Sequence, residues 1–202
     1  MRRGWEQWSE CLSDWLSALL RRPGLVPDSQ LALADLDTAQ YQVELEFMFS
    51  AARVDVQQVD QLICQHTLDA QPRAPLLRDR LNGMFKGFID LVFEHQGRYY
   101  VVDYKSNWLG AEASAYTQQA MTAAVLEHRY DLQYVFYLLA LHRQLRARLV
   151  DYDYDRHMGG ALYWFIRGGE ADSGGLWHQR PPRELIEHLD RLFSGQQQEM
   201  SP

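Results

Sequence analysis

From residue 5 to residue 20 the apolar positions recur with a helical period. "WEQWSECLSDWLSALL" sets Trp5, Trp8, Leu12, Trp15, Leu16 and Leu19 on one stripe and Ser9, Glu10, Ser13 and Ser17 off it. "RRPG" then stops the helix. A stripe of this kind either faces a core or forms an exposed partner surface, and the core-facing reading is the default. The period changes to two in "YQVELEFMFS", residues 41–50, where Val43, Leu45 and Phe47 share one strand face and Glu44 and Glu46 the other. "VDVQQVDQLICQHTL" predicts a short helix, and the proline-containing stretch from Asp69 to Asp79 a loop. Two strands follow, Phe85 to Phe93 and Arg98 to Asp103, joined at "HQGR". Helix patterns occupy "SAYTQQAMTAAVLEHR" and "YDLQYVFYLLALHRQLRARLV". "GALYWFIRG", 160–168, is a strand, "GEADSGG" a flexible loop, and "PPRELIEHLDRLFSG" a last helix with prolines at its entry. Strands grouped centrally, with helices before and after, predict an α/β domain with a mixed sheet.

Two of these strands carry charge where a core strand should not. With a two-residue turn at Gln96-Gly97, His95 faces Arg98 and the antiparallel ladder puts Asp90 opposite Asp103. Directly opposed residues have Cβ atoms about 4.5 to 5.5 Å apart, and like charges there repel, so a cation is expected between them. Mg²⁺ bonds oxygens at about 2.0 to 2.1 Å, a distance this register allows two carboxylates to share. Lys105, two residues beyond Asp103, projects from the same face. A lysine beside an ion-bound water and a phosphate suits metal-assisted phosphodiester hydrolysis. A lone "DYK" is a weak signal, since charged residues end many strands. Asp90 strengthens it: a carboxylate between Ile89 and Leu91 is costly if buried without a partner.

Composition narrows the picture. The 202 residues are 47% hydrophobic and 12% aromatic, enough for one packed domain. Cys11 and Cys64 fit neither a disulfide framework nor a zinc pattern, which makes a reducing, cytoplasmic setting the default. No apolar run reaches the roughly 18 to 20 residues of a membrane span, and "MRRGWEQWSE" lacks the apolar core of a signal peptide, so no membrane partner is expected. The net charge of −7 argues against a general electrostatic grip on nucleic acid, though it is compatible with a carboxylate site whose ion supplies positive charge. No G-x-x-x-x-G-K-[ST] loop occurs.

"MFKGFIDLVFEHQGRYYVVDYKSNWLG", "AYTQQAM", "HRYDLQYVFYLLALHRQLR" and "DYDYDRHMGGALYWFIRG" resemble the RecB-type nuclease domains of helicase-nucleases, closely from about Met84 to Gly168 and more weakly from about Tyr41. The resemblance implies the PD-(D/E)XK restriction-endonuclease-like fold, a mixed central sheet flanked by helices. It implies that Asp90 is the first metal-binding aspartate and that Asp103 and Lys105 form the D-x-K element, with the carbonyl of Tyr104 as a further ligand. Through the family's Q-x-x-x-Y motif it assigns Gln133 and Tyr137, four apart on one helix face, to the site. It makes Glu44 the better match to the family's upstream acidic position, while a plain solvent-facing role for both glutamates stays open. The implied cofactor is Mg²⁺, with Ca²⁺ as a non-catalytic substitute. The implied partners are DNA, single-stranded and delivered by a helicase, and RecC- and RecD-type subunits. The implied work is DNA degradation and double-strand break repair.

One departure matters. The family carries a metal-binding histidine in an L-H-x-x-F-E context upstream of the "VELEF" strand, and none of the seven histidines here stands in it. His66 and His95 lie in the wrong elements, and His128, His142 and His157 read as helix-surface or loop residues. The chain therefore reads as a C-terminal piece, with a truncated helical segment at 1–40 and the nuclease core at 41–202. A fragment that folds without cutting, acting as an interaction module, is the competing reading. Elsewhere, "DYDYD" reads as a solvated loop in preference to a second cation site. "RQLRAR" reads as the charged last turn of a helix in preference to a phosphate-facing patch. Trp108 either stacks on a base or packs under its loop.

Overall fold

At the turn between the two central strands, Gln96 (φ 52°) and Gly97 (φ 77°) both lie in the left-handed region, the pairing that matches hairpin twist. The turn fixes the register His95↔Arg98 and, running back from it, Leu91↔Val102, as the spacing predicts. In this computed structural model residues 6–195 are described. The hairpin strands are β2 (Arg80–His95) and β3 (Arg98–Lys105), and they centre a five-stranded sheet of order β1-β2-β3-β4-β5. β1 (Tyr41–Asp55) runs antiparallel to β2, β4 (Met158–Phe165) parallel to β3, and β5 (Leu176–Gln179) antiparallel to β4. The sheet is mixed, as expected. β1 and β2 are longer than their apolar alternation suggests, pairing out to Asp55↔Arg80 across a register shift between Ala51 and Val54.

Helices cover one face. These are α2 (Val56–His66), α3 (Gln118–Glu127), α4 (Tyr130–Arg148) and α6 (Arg183–Phe193); a short α5 (Tyr154–His157) leads into β4. Asp55 caps α2 by accepting from the amides of Gln57 and Gln58, and Thr117 caps α3. Left-handed Arg129 (φ 53°) separates α3 from α4, splitting what reads in sequence as two abutting helix patterns. α4 buries Tyr134, Val135, Leu138, Leu139, Leu141 and Leu145, each worth about 1.5 to 3 kcal/mol relative to exposure. The core on this side joins them to Leu45, Phe49, Ile89, Val92, Val101, Tyr163 and Phe165 of the sheet and to Leu185, Ile186 and Leu189 of α6. On the other face Leu91, Phe93, Tyr100, Val102, Leu162 and Trp164 pack against Leu19, Leu25, Val26 and Leu36.

Several expectations need correction. The stripe of α1 (Ser9–Leu20) does not bury itself: Leu19 is inside and Trp15 partly so, both packed against the second core cluster, but Trp8 (56%), Leu12 and Leu16 (47%) are exposed; Trp5 lies outside the described residues. "GEADSGG" is no open loop. Gly169, Ala171, Gly174 and Gly175 are buried, and the Arg22 guanidinium donates to the carbonyls of Gly169 and Ala171. It leads into β5, a strand the sequence reading lacks, and residues 166–168 form a 3-10 turn after the predicted strand. His142 is buried, its Nδ1 2.9 Å from the Tyr152 hydroxyl. Arg143 and Arg146 of "RQLRAR" both grip Asp190 of α6, so the run ties two helices together. In "DYDYD", Tyr154 is buried while Asp151, Asp153 and Asp155 pair with Arg156, Arg180 and Arg183, which leaves a loop held by arginines.

Candidate active site

A regular strand puts residues two apart on one face. Ile89 belongs to the helix-side core and Leu91 to the opposite one, so the alternation of β2 breaks at Asp90. Across the ladder, between the pairs Val43↔Leu91 and Leu45↔Ile89, Glu44 takes φ 50°. The break turns the half-buried Asp90 carboxylate toward the neighbouring strand, where its Oδ2 accepts a 3.0 Å hydrogen bond from the backbone amide of Tyr104. Asp90 therefore sits one ladder step beyond the last regular pair, Leu91↔Val102, beside Asp103. The ladder stops at Leu91↔Val102, so Asp90 and Asp103 are not a registered pair as the turn predicts, but the two lie close enough for the Asp90 charge to act on Asp103.

Asp103 and Lys105 are buried on the helix side of β3, at 7% and 6% exposure. Lys105 Nζ lies 2.7 Å from Asp103 Oδ2 and donates to Gln133 Oε1 at 2.6 Å. Gln133 Nε2 donates to the Tyr137 hydroxyl at 2.9 Å, and that hydroxyl donates to Asp103 Oδ1 at 3.4 Å, closing a ring of four side chains. Gln133 and Tyr137 lie one turn apart on α4, as the motif requires. Burial raises the Asp103 pKa, and the nearby Asp90 charge raises it further, against the pull of Lys105 and Tyr137. Burial likewise pushes the Tyr137 hydroxyl up to about 12, so it remains a neutral donor. The Tyr104 hydroxyl is raised by burial and by Asp90.

Two site residues escaped the sequence reading. The Lys105 ammonium sits 3.6 Å from the ring centroid of Tyr130 and 4.4 Å from that of Tyr163, within cation–π range. The Tyr163 hydroxyl donates to the Tyr130 carbonyl at 2.7 Å and stands 3.1 Å from Gln133 Oε1. Nothing local marks either tyrosine: Tyr163 stands in an apolar strand and Tyr130 opens a helix. Only the parallel pairing of β3 with β4 and the docking of α4 bring them to Lys105.

Glu44 is exposed, and among the described residues no group of three acidic, histidine or cysteine side chains converges to hold an ion. It is a ladder neighbour of Asp90 but does not complete a three-carboxylate cluster. Glu46 pairs with Lys86 at 3.0 Å on the solvent side. The two carboxylates that meet here are Asp90, which accepts from the Tyr104 amide, and Asp103. Two nearby carboxylates balanced by one ammonium leave a site of hard oxygens, which suits a divalent cation.

A mixed sheet with two strand-borne aspartates, a lysine two residues on and a Gln-Tyr pair from the crossing helix defines a nuclease-type core, and sequence comparison agrees. Residues 5–201 match the PD-(D/E)XK nuclease superfamily, and the chain belongs to that family. It is 46% identical over 192 residues to the RecBCD enzyme subunit RecB of Escherichia coli, an alignment covering 94% of this chain and 16% of that protein. The RecB subunit of Haemophilus influenzae is 42% identical over 193 residues, with 93% and 15% covered. That of Mycobacterium tuberculosis is 38% identical over 158 residues, with 69% and 14% covered. The chain thus spans only a small part of the length of these relatives. No helix among the described residues is long and apolar enough to cross a membrane.

Proposed function

We propose that the chain is a Mg²⁺-dependent deoxyribonuclease domain that hydrolyses DNA phosphodiester bonds at Asp90, Asp103 and Lys105. The observation that carries the reading is the closed ring of Asp103, Lys105, Gln133 and Tyr137 with Asp90 hydrogen-bonded at its edge. Asp90, Asp103 and the Tyr104 carbonyl would hold the ion. When bound, such an ion supplies Lewis-acid polarisation of a phosphate oxygen and a lowered pKa for water.

The protein's own groups do the positioning. Lys105 is held from four sides by Asp103, Gln133 and the rings of Tyr130 and Tyr163, so its ammonium needs little reorganisation to meet charge developing on the phosphate. Gln133 is oriented by Lys105 on its oxygen and Tyr137 on its nitrogen. Tyr137 in turn fixes Asp103. With a net charge of −7 the chain cannot rely on a broad basic surface, which supports delivery of single-stranded DNA by a helicase, and the likeness to RecBCD subunits supports work within an assembly of RecB, RecC and RecD type.

The test is cleavage of end-labelled single-stranded DNA with Mg²⁺, with Ca²⁺ and with EDTA, alongside an Asp103→Ala control. Mg²⁺-dependent cleavage absent from the control supports the reading. No cleavage above the control, with no cation-dependent thermal shift, would instead favour a fragment that folds without cutting; the absence, among the described residues, of a third acid or histidine converging on Asp90 and Asp103 is what favours that second reading.

A further inference from the structure

β3 and β4 run parallel and end together at the pair Lys105↔Phe165, so the residues just beyond them emerge on the same side of the sheet as the site. Three residues past Lys105 comes Trp108, and two past Phe165 comes Arg167. At no more than about 3.6 Å per residue, Trp108 lies within about 11 Å of Lys105 along the chain. Its indole is 65% exposed, which removes the alternative that it packs under its own loop. The Arg167 guanidinium lies 5.9 Å from the indole centroid, and its Nε donates to the Ser106 carbonyl at 3.0 Å. Arg167 is exposed and forms no ion pair among the described residues, unlike the arginines that bind Asp190, Asp131 or the 151–155 loop.

The loop carrying Trp108 is tied down. The Tyr116 hydroxyl donates to the Asn107 carbonyl at 3.3 Å and lies 3.5 Å from the amide of Leu109. The Asn107 side chain meets the Tyr130 hydroxyl at 3.3 Å, and the Tyr130 ring is the one lying 3.6 Å from Lys105 Nζ. A continuous set of contacts therefore runs from the site lysine to the residue before Trp108. A large aromatic left in water on an anchored loop, beside a guanidinium with no ion pair among the described residues, complements a nucleic-acid strand: the flat ring takes an unstacked base and the cation a phosphate. Such a stack is sequence-tolerant and needs no broad basic surface, which suits an acidic chain. A duplex offers few unstacked bases, so a single strand is the better occupant.

We propose that Trp108 and Arg167 form a single-stranded DNA contact beside the Asp90, Asp103 and Lys105 site, with a base on the indole and the adjoining phosphate on the guanidinium. The proposal rests on reading that site as a deoxyribonuclease. Its test uses the full chain in EDTA, where cleavage does not interfere. Fluorescence anisotropy compares a labelled oligothymidylate with a blunt duplex for the wild type, Trp108→Ala, Trp108→Phe and Arg167→Gln, over a series of salt concentrations. Trp108→Ala is expected to weaken single-strand binding about 5- to 150-fold and duplex binding far less, with Trp108→Phe recovering most of the loss. Arg167→Gln is expected to lower the salt slope by about 0.7. Single-strand binding by Trp108→Ala within two-fold of wild type, an equal loss on duplex and single strand, or no single-strand binding by the wild type would each overturn it. The two readings fail separately: a wild type that binds as described yet never cleaves with Mg²⁺ sinks the nuclease reading alone, and one that cleaves while Trp108→Ala binds normally sinks the contact alone.

Discussion

Asp90 accepts a hydrogen bond from the backbone amide of Tyr104, the residue between Asp103 and Lys105. One carboxylate thus stands in for a ladder acceptor while pressing its charge on the other, so its acceptor role and its charge separate on mutation. Asp90→Asn keeps an oxygen for the Tyr104 amide and removes the repulsion that helps raise Asp103. In EDTA this variant should be as stable as wild type or more so by urea denaturation, and inactive with Mg²⁺. Asp90→Ala removes the acceptor as well and should lose about 0.5 to 1.5 kcal/mol, the net worth of a solvent-exposed hydrogen bond. An Asn variant that loses as much as the Ala variant would rule out the opposed-pair geometry.

The Tyr137 hydroxyl accepts from Gln133 and donates to Asp103. Its hydrogen bond favours the ionised carboxylate, against the burial that raises the Asp103 pKa. Tyr137→Phe removes that support, so the Asp103 pKa climbs further. If ionised Asp103 is required, the acid limb of kcat/KM against pH should move to higher pH. Protein stability should fall by about 1 to 2 kcal/mol, since the variant leaves the Gln133 amide unpaired. An unchanged limb with reduced activity would mean that Tyr137 only packs.

The hairpin was legible because its signals are local: Gln96-Gly97 fixes the turn, and the turn fixes which carboxylates face each other. Strand period then adds Lys105, and helical period joins Gln133 to Tyr137. Long-range features were not legible. β5 is four residues of "LWHQ" after a glycine-rich turn, a strand only because β4 offers it an edge. Tyr130 and Tyr163 reach Lys105 through tertiary packing. His142 lies in a helix apolar on several sides, where its neighbours Leu141 and Leu145 give no sign of which face is buried. The period of α1 marks a stripe but not how much of it is covered: Leu19 is buried while Trp8, Leu12 and Leu16 stay exposed.

Buried His142 has its Nδ1 on the Tyr152 hydroxyl and, among the described residues, no partner for Nε2. Burial lowers its pKa from 6.5 to about 4, and the neighbouring Arg146 and Arg143 push the same way against Asp190. The unfolded chain therefore takes up this proton at higher pH than the folded one. The stabilisation is complete above pH 6.5 and is lost as pH falls toward 4, by up to about 3 kcal/mol. Urea denaturation at stepped pH should show a wild-type decline over this window that His142→Phe largely lacks. Asp60 and Asp190, whose pKa values lie below the usual carboxylate value of 3.8, contribute stability at neutral pH that is lost mainly below the His142 window. Parallel declines in both proteins would place the proton elsewhere.

Beneath the start of α4, Asp131 is fully buried between two guanidinium groups, Arg73 at 2.8 Å and Arg129 at 3.0 Å, and Arg129 also reaches Asp60 of α2. Arg73 adds hydrogen bonds to the Thr67 hydroxyl and carbonyl, so the cluster clamps the end of α2 and the loop after it to α4. α4 carries Gln133 and Tyr137, which makes this clamp a distant support of the site. Breaking a buried pair strands its partner's charge, at a cost of about 3 to 5 kcal/mol. Asp131→Ala should lose that much in urea denaturation. Asp131→Asn, which keeps oxygen acceptors but not the charge, should lose less. Arg129 and Asp131 flank Tyr130, but among the described residues no side-chain hydrogen bond or ion pair joins the clamp to Asp90, Asp103, Lys105, Gln133 or Tyr137, so any Asp131→Asn protein that stays folded should cleave with an unshifted pH profile. A shifted profile in that variant would mean the clamp sets the charge of the site as well as the position of α4.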